Sequence, residues 1–211
     1  MTELIFYTNP QSRGRIVRWM LEEIGEPYET RVVDYADLRA EGYRSVNPMA
    51  KVPAIQHRGR TVTECAAICA YLADVFPEAG LGPRDDEKAD YYRWMFFAAG
   101  PIEAAVSNKA MGWEPTPDRE RMFGYGNFDR AIGVIDALLS TRDYVCGDRF
   151  TAADVYVGSQ LMFPMQFGLI DKRDTFARYA DRLQSRDAYK RAGAIDDEAQ
   201  AKMEIRQPQP A

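Results

Sequence analysis

In the first part of the chain, two short apolar segments lie on either side of one amphipathic segment. Residues 4–7 are apolar and predict a strand, which the turn signal Asn9-Pro10 ends. Between residues 16 and 24, apolar positions recur at helical spacing, so we predict a helix there. Residues 28–33 predict a second strand. A strand, a helix and a strand in so short a segment indicate a βαβ unit with a parallel strand pair.

The following segment predicts a hairpin with a helix after it. A weak helix at residues 37–43 precedes predicted strands at 53–57 and 60–63, and Arg58-Gly59 suits the turn between them. Apolar residues from Cys65 to Phe76 then have the spacing of an amphipathic helix that packs on a sheet. The order βαβ-α-ββα predicts an α/β domain with a mixed four-stranded sheet.

A change of pattern marks the start of a second domain. Residues 77–83 contain two prolines and two glycines without apolar periodicity, which is typical of a linker. All the sequence after this linker has helical apolar spacing. We therefore predict a first domain at residues 1–76, a linker at 77–86 and an all-helical domain at 87–211.

The second domain has one clear helix start. Thr151 is the predicted N-cap residue and Asp154 follows three positions later, which is a variant of the capping box. Phe150 and Val155 on either side form the predicted hydrophobic staple. Gly100-Pro101 predicts a bend in the first helix of this domain. The predicted helices span residues 87–111, 118–139 and 151–165, with shorter ones within 175–192.

Composition and charge exclude several classes of partner. The chain is 46% hydrophobic and 28% charged, and its net charge of −5 disfavours nucleic acid and acidic membrane surfaces as partners. No apolar run approaches the roughly 18 residues of a membrane span. Three cysteines without paired spacing, and a first segment without signal-peptide features, predict a cytoplasmic protein. One histidine, His57, which we expect to be solvated, and no clustered cysteines predict no metal site.

One stretch combines groups that suit a small zwitterionic peptide. Pro53 belongs at the first residue of a strand or at a bend before it, so Val52 can offer its backbone N–H and C=O to an extended ligand. Glu64 and Cys65 fall where a helix begins, beside free backbone N–H groups. Lys51 adds a positive charge. We therefore predict a peptide-binding site at this edge of the sheet.

Three motifs in order carry a family resemblance. They are Asn47-Pro48-x-x-x-Val52-Pro53, Thr63-Glu64-x-Ala66-Ala67-Ile68 and Phe150-Thr151-Ala152-Ala153-Asp154. Together with the order of elements, they resemble the cytosolic glutathione S-transferases over essentially the whole chain. The resemblance implies a thioredoxin-like N-terminal domain, a helical C-terminal domain, a homodimer and a cleft between the domains. It also implies glutathione as co-substrate, a small hydrophobic electrophile as second substrate, and detoxification as the role.

The resemblance assigns roles to the residues around the hairpin. It implies a cis proline at Pro53, with Val52 paired through its backbone to the cysteinyl part of glutathione. Glu64 matches the acid that binds the γ-glutamyl ammonium group, and Lys51 matches a position that often reaches the glycyl carboxylate. Cys65 departs from the family, which usually has serine or threonine there. A thiol is a weaker donor than a hydroxyl, and Cys65 is equally well interpreted as a packing residue or, as a hypothesis, as a redox-active thiol.

Two hydroxyls are candidates for activating the glutathione thiol. Ser12, just before the first helix, matches the activating serine of the delta-, theta- and zeta-like classes. Tyr7, at the end of the first strand, matches the tyrosine of the alpha-, mu- and pi-like classes. We favour Ser12 because the loop from Tyr7 to Arg13 looks long for the tyrosine type. Ser12 as a helix cap, Tyr7 as a buried aromatic with a satisfied hydroxyl, and activation by a backbone amide remain alternatives.

The second substrate and the activity are less closely specified by the sequence. Phe97, Met111, Trp113 and Met165 are candidates for lining the electrophile pocket, and at helical spacing such residues are also typical of a core. The preferred activity is conjugation of the glutathione thiolate to an electrophile. Glutathione-dependent peroxidase or isomerase chemistry at the same site, and a non-catalytic ligand-binding protein, remain the alternatives.

Overall fold

A computed structural model describes residues 3–206 of the chain. The chain divides into two compact units. The first contains the residues up to Ala79 together with those from Ser185 onward, and the second is Gly80–Gln184. Residues 207–211, the end of the predicted helical domain, lie outside the described residues.

The first unit contains a mixed four-stranded sheet. The strand order is β2-β1-β3-β4, with β1 and β2 parallel and the other neighbouring pairs antiparallel. This confirms the predicted fold class, including the order βαβ-α-ββα. The elements are β1 (Leu4–Thr8), α1 (Gly14–Ile24), β2 (Glu29–Val32), α2 (Glu41–Arg44), β3 (Ala54–His57), β4 (Arg60–Thr63) and α3 (Cys65–Val75).

The last described helix belongs to the first unit, whereas the sequence pattern placed it in the helical domain. This helix, α9 (Asp187–Arg206), packs on α1. The ring of Tyr189 meets the ring of Trp19 edge-on, with 5.0 Å between centroids. Arg186 pairs with Glu23 at 2.6 Å. Such contacts join residues far apart in sequence, so helical periodicity alone does not reveal them.

The second unit is helical, as predicted. A five-residue π-helical segment, Ala98–Ile102, contains Pro101 and separates two α-helices at the predicted bend. The predicted helix over residues 118–139 is wrong in its first half, because the α-helix begins only at Phe128. Gly126 has φ of 68° just before that start, and the Asn127 side chain accepts a hydrogen bond from Arg130 N at 2.8 Å. The α-helices are α4 (Lys88–Phe97), α5 (Glu103–Met111), α6 (Phe128–Leu139), α7 (Ala152–Gln166) and α8 (Asp174–Gln184).

The predicted capping box at the start of α7 is confirmed. Thr151 Oγ1 accepts a hydrogen bond from Ala153 N at 3.2 Å, and Asp154 Oδ2 accepts one from Thr151 N at 2.9 Å. Two backbone donors at the helix start are therefore satisfied by side chains. Among residues 3–206, none of the helices combines the length and the apolar character needed to cross a membrane.

Candidate active site

The strand register brings the predicted site residues to one end of the sheet. Tyr7 of β1 lies opposite Ala54 of β3, and Ala54 lies opposite Thr63 of β4. The loop after β1, the residues before β3 and the residues after β4 therefore leave the sheet at the same edge. Pro53 directly precedes Ala54, and Glu64 directly follows Thr63. The sheet thus brings the serine loop, the Val-Pro segment and the acid close together.

The loop between β1 and α1 holds the hydroxyl of Ser12 in a defined position. Ser12 is partly exposed, and its Oγ donates to the carbonyl oxygen of Asn9 at 2.7 Å and accepts from Gly14 N at 2.9 Å. Asn9 is fully buried and donates through its side chain to the carbonyl of Val33 at 3.0 Å. Because Gly14 is the first residue of α1, the Ser12 hydroxyl lies at the positive end of the helix dipole. Asn9 organises this loop, a role that its position before a proline did not reveal.

Tyr7 carries the other candidate hydroxyl, and its oxygen forms hydrogen bonds with side chains of the neighbouring strands. It donates to Gln56 Oε1 at 2.9 Å and accepts from Arg31 Nη1 at 3.1 Å. Its ring lies 5.9 Å from the ring of Tyr43 in a small core cluster that includes Ala54. This arrangement corresponds to the alternative of a buried aromatic residue with a satisfied hydroxyl.

The segment before β3 is held by two side chains that the sequence did not single out for this role. Tyr43 donates through its hydroxyl to the carbonyl of Lys51 at 2.6 Å, and Asn47 donates to the same oxygen at 2.8 Å. Burial raises the pKa of Tyr43 to about 12, so its hydroxyl stays protonated as a donor. The Val52–Pro53 peptide bond is cis, as the resemblance implied. Pro53 is buried, Val52 is partly exposed and Lys51 is exposed.

Glu64 occupies an unusual backbone conformation between β4 and α3. Its φ of 66° and ψ of 118° lie outside the regions that residues with a side chain normally adopt. Residues held in such conformations are concentrated at ligand-binding and catalytic sites. The side chain is exposed, and the carbonyl accepts a hydrogen bond from Ile68 N at 2.8 Å. A carboxylate is therefore presented to solvent at the beginning of a helix.

Cys65 joins the starts of the two helices at the site. Its Sγ donates to the carbonyl of Arg13 at 3.7 Å, so the first residue of α3 contacts the residue that precedes α1. The thiol is buried, and this burial raises its pKa to about 12. The nearby Arg13 lowers that pKa and Glu64 raises it, but both effects are smaller than the effect of burial. The burial of this thiol therefore argues against the hypothesis that the helix start activates Cys65 for redox chemistry.

We expect the three cysteines to be nearly inert in the folded protein. Burial raises the pKa of Cys65 and of Cys146 to about 12, and the pKa of Cys69 well above its ordinary 9.0. For Cys65 and Cys146, this rise in pKa lowers the fraction of reactive thiolate about a thousandfold relative to a free thiol. A disulfide reagent added with and without denaturant measures this, with free glutathione as the control thiol. A thiol that reacts in the native protein as fast as free glutathione contradicts the expectation.

His57 is buried, so the expectation that it is solvated is wrong. It is 2% exposed, and its Nδ1 lies 2.9 Å from the hydroxyl of Tyr71. Its ring also packs against Phe76 at 5.3 Å between centroids. The side chain belongs to the packing between β3 and α3, because strand alternation directs it inward. Within residues 3–206, no cluster of three or more acidic, histidine or cysteine side chains is suited to a metal ion.

The four residues predicted for the electrophile pocket lie in the second unit. Met111 ends α5 and is 58% exposed, and Trp113 shortly after it is 65% exposed. Phe97 and Met165 are partly buried near the ends of α4 and α7. The ring of Phe97 contacts that of Trp94 at 5.6 Å between centroids. The two exposed side chains are available to a ligand, and their grouping into one pocket stays a prediction.

The chain is similar to several known glutathione-dependent proteins. A family model described as "Glutathione S-transferase, N-terminal domain" matches residues 12–75. Glutathione S-transferase 3 of Schizosaccharomyces pombe is 28% identical, with 77% of this chain and 73% of that protein covered. Maleylacetoacetate isomerase of Pseudomonas aeruginosa is 26% identical, with 75% and 78% covered. A glutathione transferase family member from Pseudomonas fluorescens, solved with two glutathione bound, is 28% identical with a TM-score of 0.72, covering 90% of this chain and 91% of that one.

Proposed function

We propose that the chain belongs to the glutathione S-transferase family and is an enzyme of that class, which the matched family model and the similar transferases support. From this premise we propose that it joins the thiolate of glutathione to small hydrophobic electrophiles, and that Ser12 stabilises the thiolate. Under this proposal, the chain belongs with the serine-type theta-, delta- and zeta-like classes. The observation that carries the proposal is the meeting of the Ser12 loop, the Val52–Pro53 segment and Glu64 at one edge of the sheet.

Each group at this edge suits one part of the tripeptide. The backbone of Val52 pairs with the cysteinyl unit, which leaves the thiol near the start of α1. Glu64 is exposed and charged, and it binds the γ-glutamyl ammonium group. Lys51 is exposed and binds the glycyl carboxylate. The thiol of Cys65 already donates to Arg13, so the backbone N–H groups at the start of α3 are the main donors to the γ-glutamyl carboxylate.

The Ser12 hydroxyl can change its hydrogen-bond acceptor at little cost in free energy. A hydroxyl hydrogen rotates freely, so the Ser12 O–H can turn from the Asn9 carbonyl to a bound sulfur. The Asn9 carbonyl then keeps its bond from the Ser12 backbone N–H at 3.0 Å and is not left unsatisfied. The bond that Gly14 N donates to Ser12 Oγ polarises the hydroxyl and makes it a better donor.

The reaction follows from this arrangement. The glutathione thiol loses its proton to solvent, and the resulting thiolate is stabilised by the Ser12 hydroxyl and by the start of α1. The sulfur lone pair attacks the electrophilic carbon and forms a C–S bond, while a leaving group departs with its electron pair or a proton adds to the product. A lower thiol pKa is a modest gain, because a weaker base is also a weaker nucleophile. Positioning the electrophile beside the sulfur supplies much of the remaining rate.

The same proposal includes the second substrate, the assembly and the compartment. We place the electrophile on apolar side chains of the second unit, including Met111 and Trp113, which are exposed, together with Phe97 and Met165. We also propose a homodimer, because Tyr92 and Phe96 lie one helical turn apart on α4 and are 52% and 72% exposed. The free thiols fit a reducing cytoplasm.

An isomerase is the second candidate, and the similarity to maleylacetoacetate isomerase of Pseudomonas aeruginosa favours it. For an isomerase at this site we propose that the thiolate adds to a cis double bond of the substrate, the adduct rotates about the resulting single bond, and the thiolate leaves again. The same Ser12 position serves both activities. Assays with an aryl halide and with a cis-unsaturated diketo acid distinguish them, because only the first consumes glutathione. A protein that binds glutathione but turns over neither substrate is the non-catalytic alternative.

Replacement of Ser12 by alanine tests the assignment of the hydroxyl. We expect the pKa of the bound glutathione thiol to rise by about two units, toward the value near 8.5 of a free thiol. The thiolate fraction at neutral pH then falls roughly 25-fold, and the greater nucleophilicity recovers close to tenfold, so kcat falls about threefold. The pH profile of kcat and the ultraviolet absorbance of bound thiolate measure this.

Tyr7→Phe is the matched control, since it removes a hydroxyl that is already bonded to Gln56 and Arg31. We expect it to leave the thiol pKa unchanged and to cost about 1 kcal/mol of stability. A raised thiol pKa in Tyr7→Phe with none in Ser12→Ala reverses the assignment. Calorimetry that detects no glutathione binding to the wild-type protein rejects the proposed function as a whole.

A further inference from the structure

Arg15 connects the serine loop to the last helix of the chain. Its Nε donates to the carbonyl oxygen of Pro10 at 2.6 Å, in the loop that carries Ser12. Its Nη2 donates to Asp197 Oδ1 at 2.7 Å and to Gln200 Oε1 at 3.3 Å, and both acceptors belong to α9. One guanidinium group therefore contacts the loop on one side and two neighbouring turns of α9 on the other. All these residues belong to the first unit.

The position of Asp197 is fixed by its neighbour. Asp196 is 1% exposed and pairs with the buried Arg18 of α1 at 3.2 Å. Since α9 is anchored at residue 196, the adjacent Asp197 reaches Arg15 from a rigid support, although 71% of its own side chain is exposed. The planar guanidinium of Arg15 donates to Pro10 and to Asp197 from separate nitrogens, so it fixes the position of the Pro10 carbonyl relative to α9. An exposed ion pair of this kind contributes little to overall stability.

We propose that Asp197 and Gln200 are positioning residues for the glutathione site, and that they act on the Ser12 loop through Arg15. This inference rests on the proposed function. The Pro10 carbonyl is two residues from Ser12, and the loop between them is closed by the bonds from Ser12 to the Asn9 carbonyl. When Asp197 and Gln200 are absent, Arg15 loses its orientation and the Pro10 carbonyl loses a well-placed donor. The Ser12 hydroxyl then samples positions from which it does not reach the sulfur.

The test compares two neighbouring acids of α9. Asp197→Ala removes one of the two side-chain acceptors that α9 offers to Arg15. The double variant Asp197→Ala with Gln200→Ala removes both. Glu198→Ala is the matched control, because Glu198 has 68% exposure and pairs along the helix with Lys202 at 2.6 Å. Asp197→Glu is the conservative variant, which keeps a carboxylate within reach of Arg15.

We expect Asp197→Ala to lower kcat by about twofold and the double variant by up to about threefold, the loss expected for Ser12→Ala, because both act through the position of the Ser12 hydroxyl. The pH profile of kcat is expected to shift upward and KM for the electrophile to stay unchanged, while the denaturation midpoint falls at most slightly, as for other exposed ion pairs. Asp197→Glu is expected to recover most of the rate, and Glu198→Ala to match the wild type. A purely structural role for Asp197 predicts instead a lower midpoint with an unchanged pH profile, and that result overturns the proposal.

Hydrogen exchange separates this proposal from the proposed function. In the wild-type protein, the amides of Ser12 and Gly14 donate to the Asn9 carbonyl and to Ser12 Oγ, so they are protected. We expect faster exchange in the segment from residue 10 to 15 in Asp197→Ala, and wild-type exchange in Glu198→Ala. Unchanged exchange in Asp197→Ala overturns the proposed connection even in an active enzyme. If exchange responds but the wild type does not bind glutathione, the proposed function fails while the connection between α9 and the loop stands.

Discussion

Replacement of Asp196 by alanine is expected to lower the free energy of unfolding by about 3–5 kcal/mol. Asp196 and Arg18 are 1% and 2% exposed, and they form an ion pair between α9 and α1 at 3.2 Å. Arg18 also donates to Tyr28 at 2.8 Å and to Thr30 at 2.7 Å, so it is held in place when the acid is removed. The variant therefore leaves a buried positive charge without its counter-charge, which is the costly way to break such a pair.

The next residue provides the control for this prediction. Asp197 is 71% exposed, and its pair with Arg15 is open to solvent, so Asp197→Ala is expected to cost at most about 1 kcal/mol. Denaturant unfolding of both variants measures the difference. A combined Arg18→Met and Asp196→Leu variant is expected to recover most of the lost stability, because it removes both charges from the interior. Equal effects of the two alanine variants contradict the argument from burial.

Replacement of Asp154 by alanine is expected to cost about 3 kcal/mol or more, because several buried donors lose their acceptor. Asp154 is fully buried at the start of α7. It accepts hydrogen bonds from Val145 N at 2.9 Å, from Thr151 N at 2.9 Å and from the hydroxyl of Tyr179 at 2.8 Å. The carboxylate therefore joins the helix start, the preceding loop and α8 within the second unit. Asp148→Ala, at an exposed site in the same loop, is the control and is expected to change stability by less than about 0.5 kcal/mol.

The loss of stability in Asp154→Ala is expected to depend on pH. Burial raises the pKa of Asp154 from 3.8 to about 6, although its backbone and side-chain donors lower it. Because the folded state binds this proton more tightly than the unfolded state, the contribution of Asp154 to stability is fully present below pH 3.8 and declines as the pH rises through about 6. The difference in unfolding free energy between the wild type and Asp154→Ala should therefore narrow over that range. A difference that widens with rising pH contradicts the raised pKa.

Much of the fold was predictable because the signals are local. Strand alternation, helical spacing and the Thr151–Asp154 capping box act within a few residues, so they are readable from the sequence. The Val52–Pro53 segment and Glu64 were predicted as site residues for a related reason, since a strand start and a helix start each expose unpaired backbone groups. The predicted helix over residues 118–139 is wrong in its first half because Gly124 and Gly126, the latter with φ of 68°, compete with weak apolar spacing.

Local pattern therefore determined which segments form strands and helices, and which of them present polar groups at an edge. Only the tertiary structure decided that α9 joins the first unit, that the Tyr7 hydroxyl is bonded within the sheet and that Cys65 is buried with a raised pKa. The physical reason is that these properties depend on desolvation and on contacts between residues distant in sequence. The pair of Arg18 and Asp196 is the clearest case, because neither residue has a neighbour in the sequence that reveals its partner.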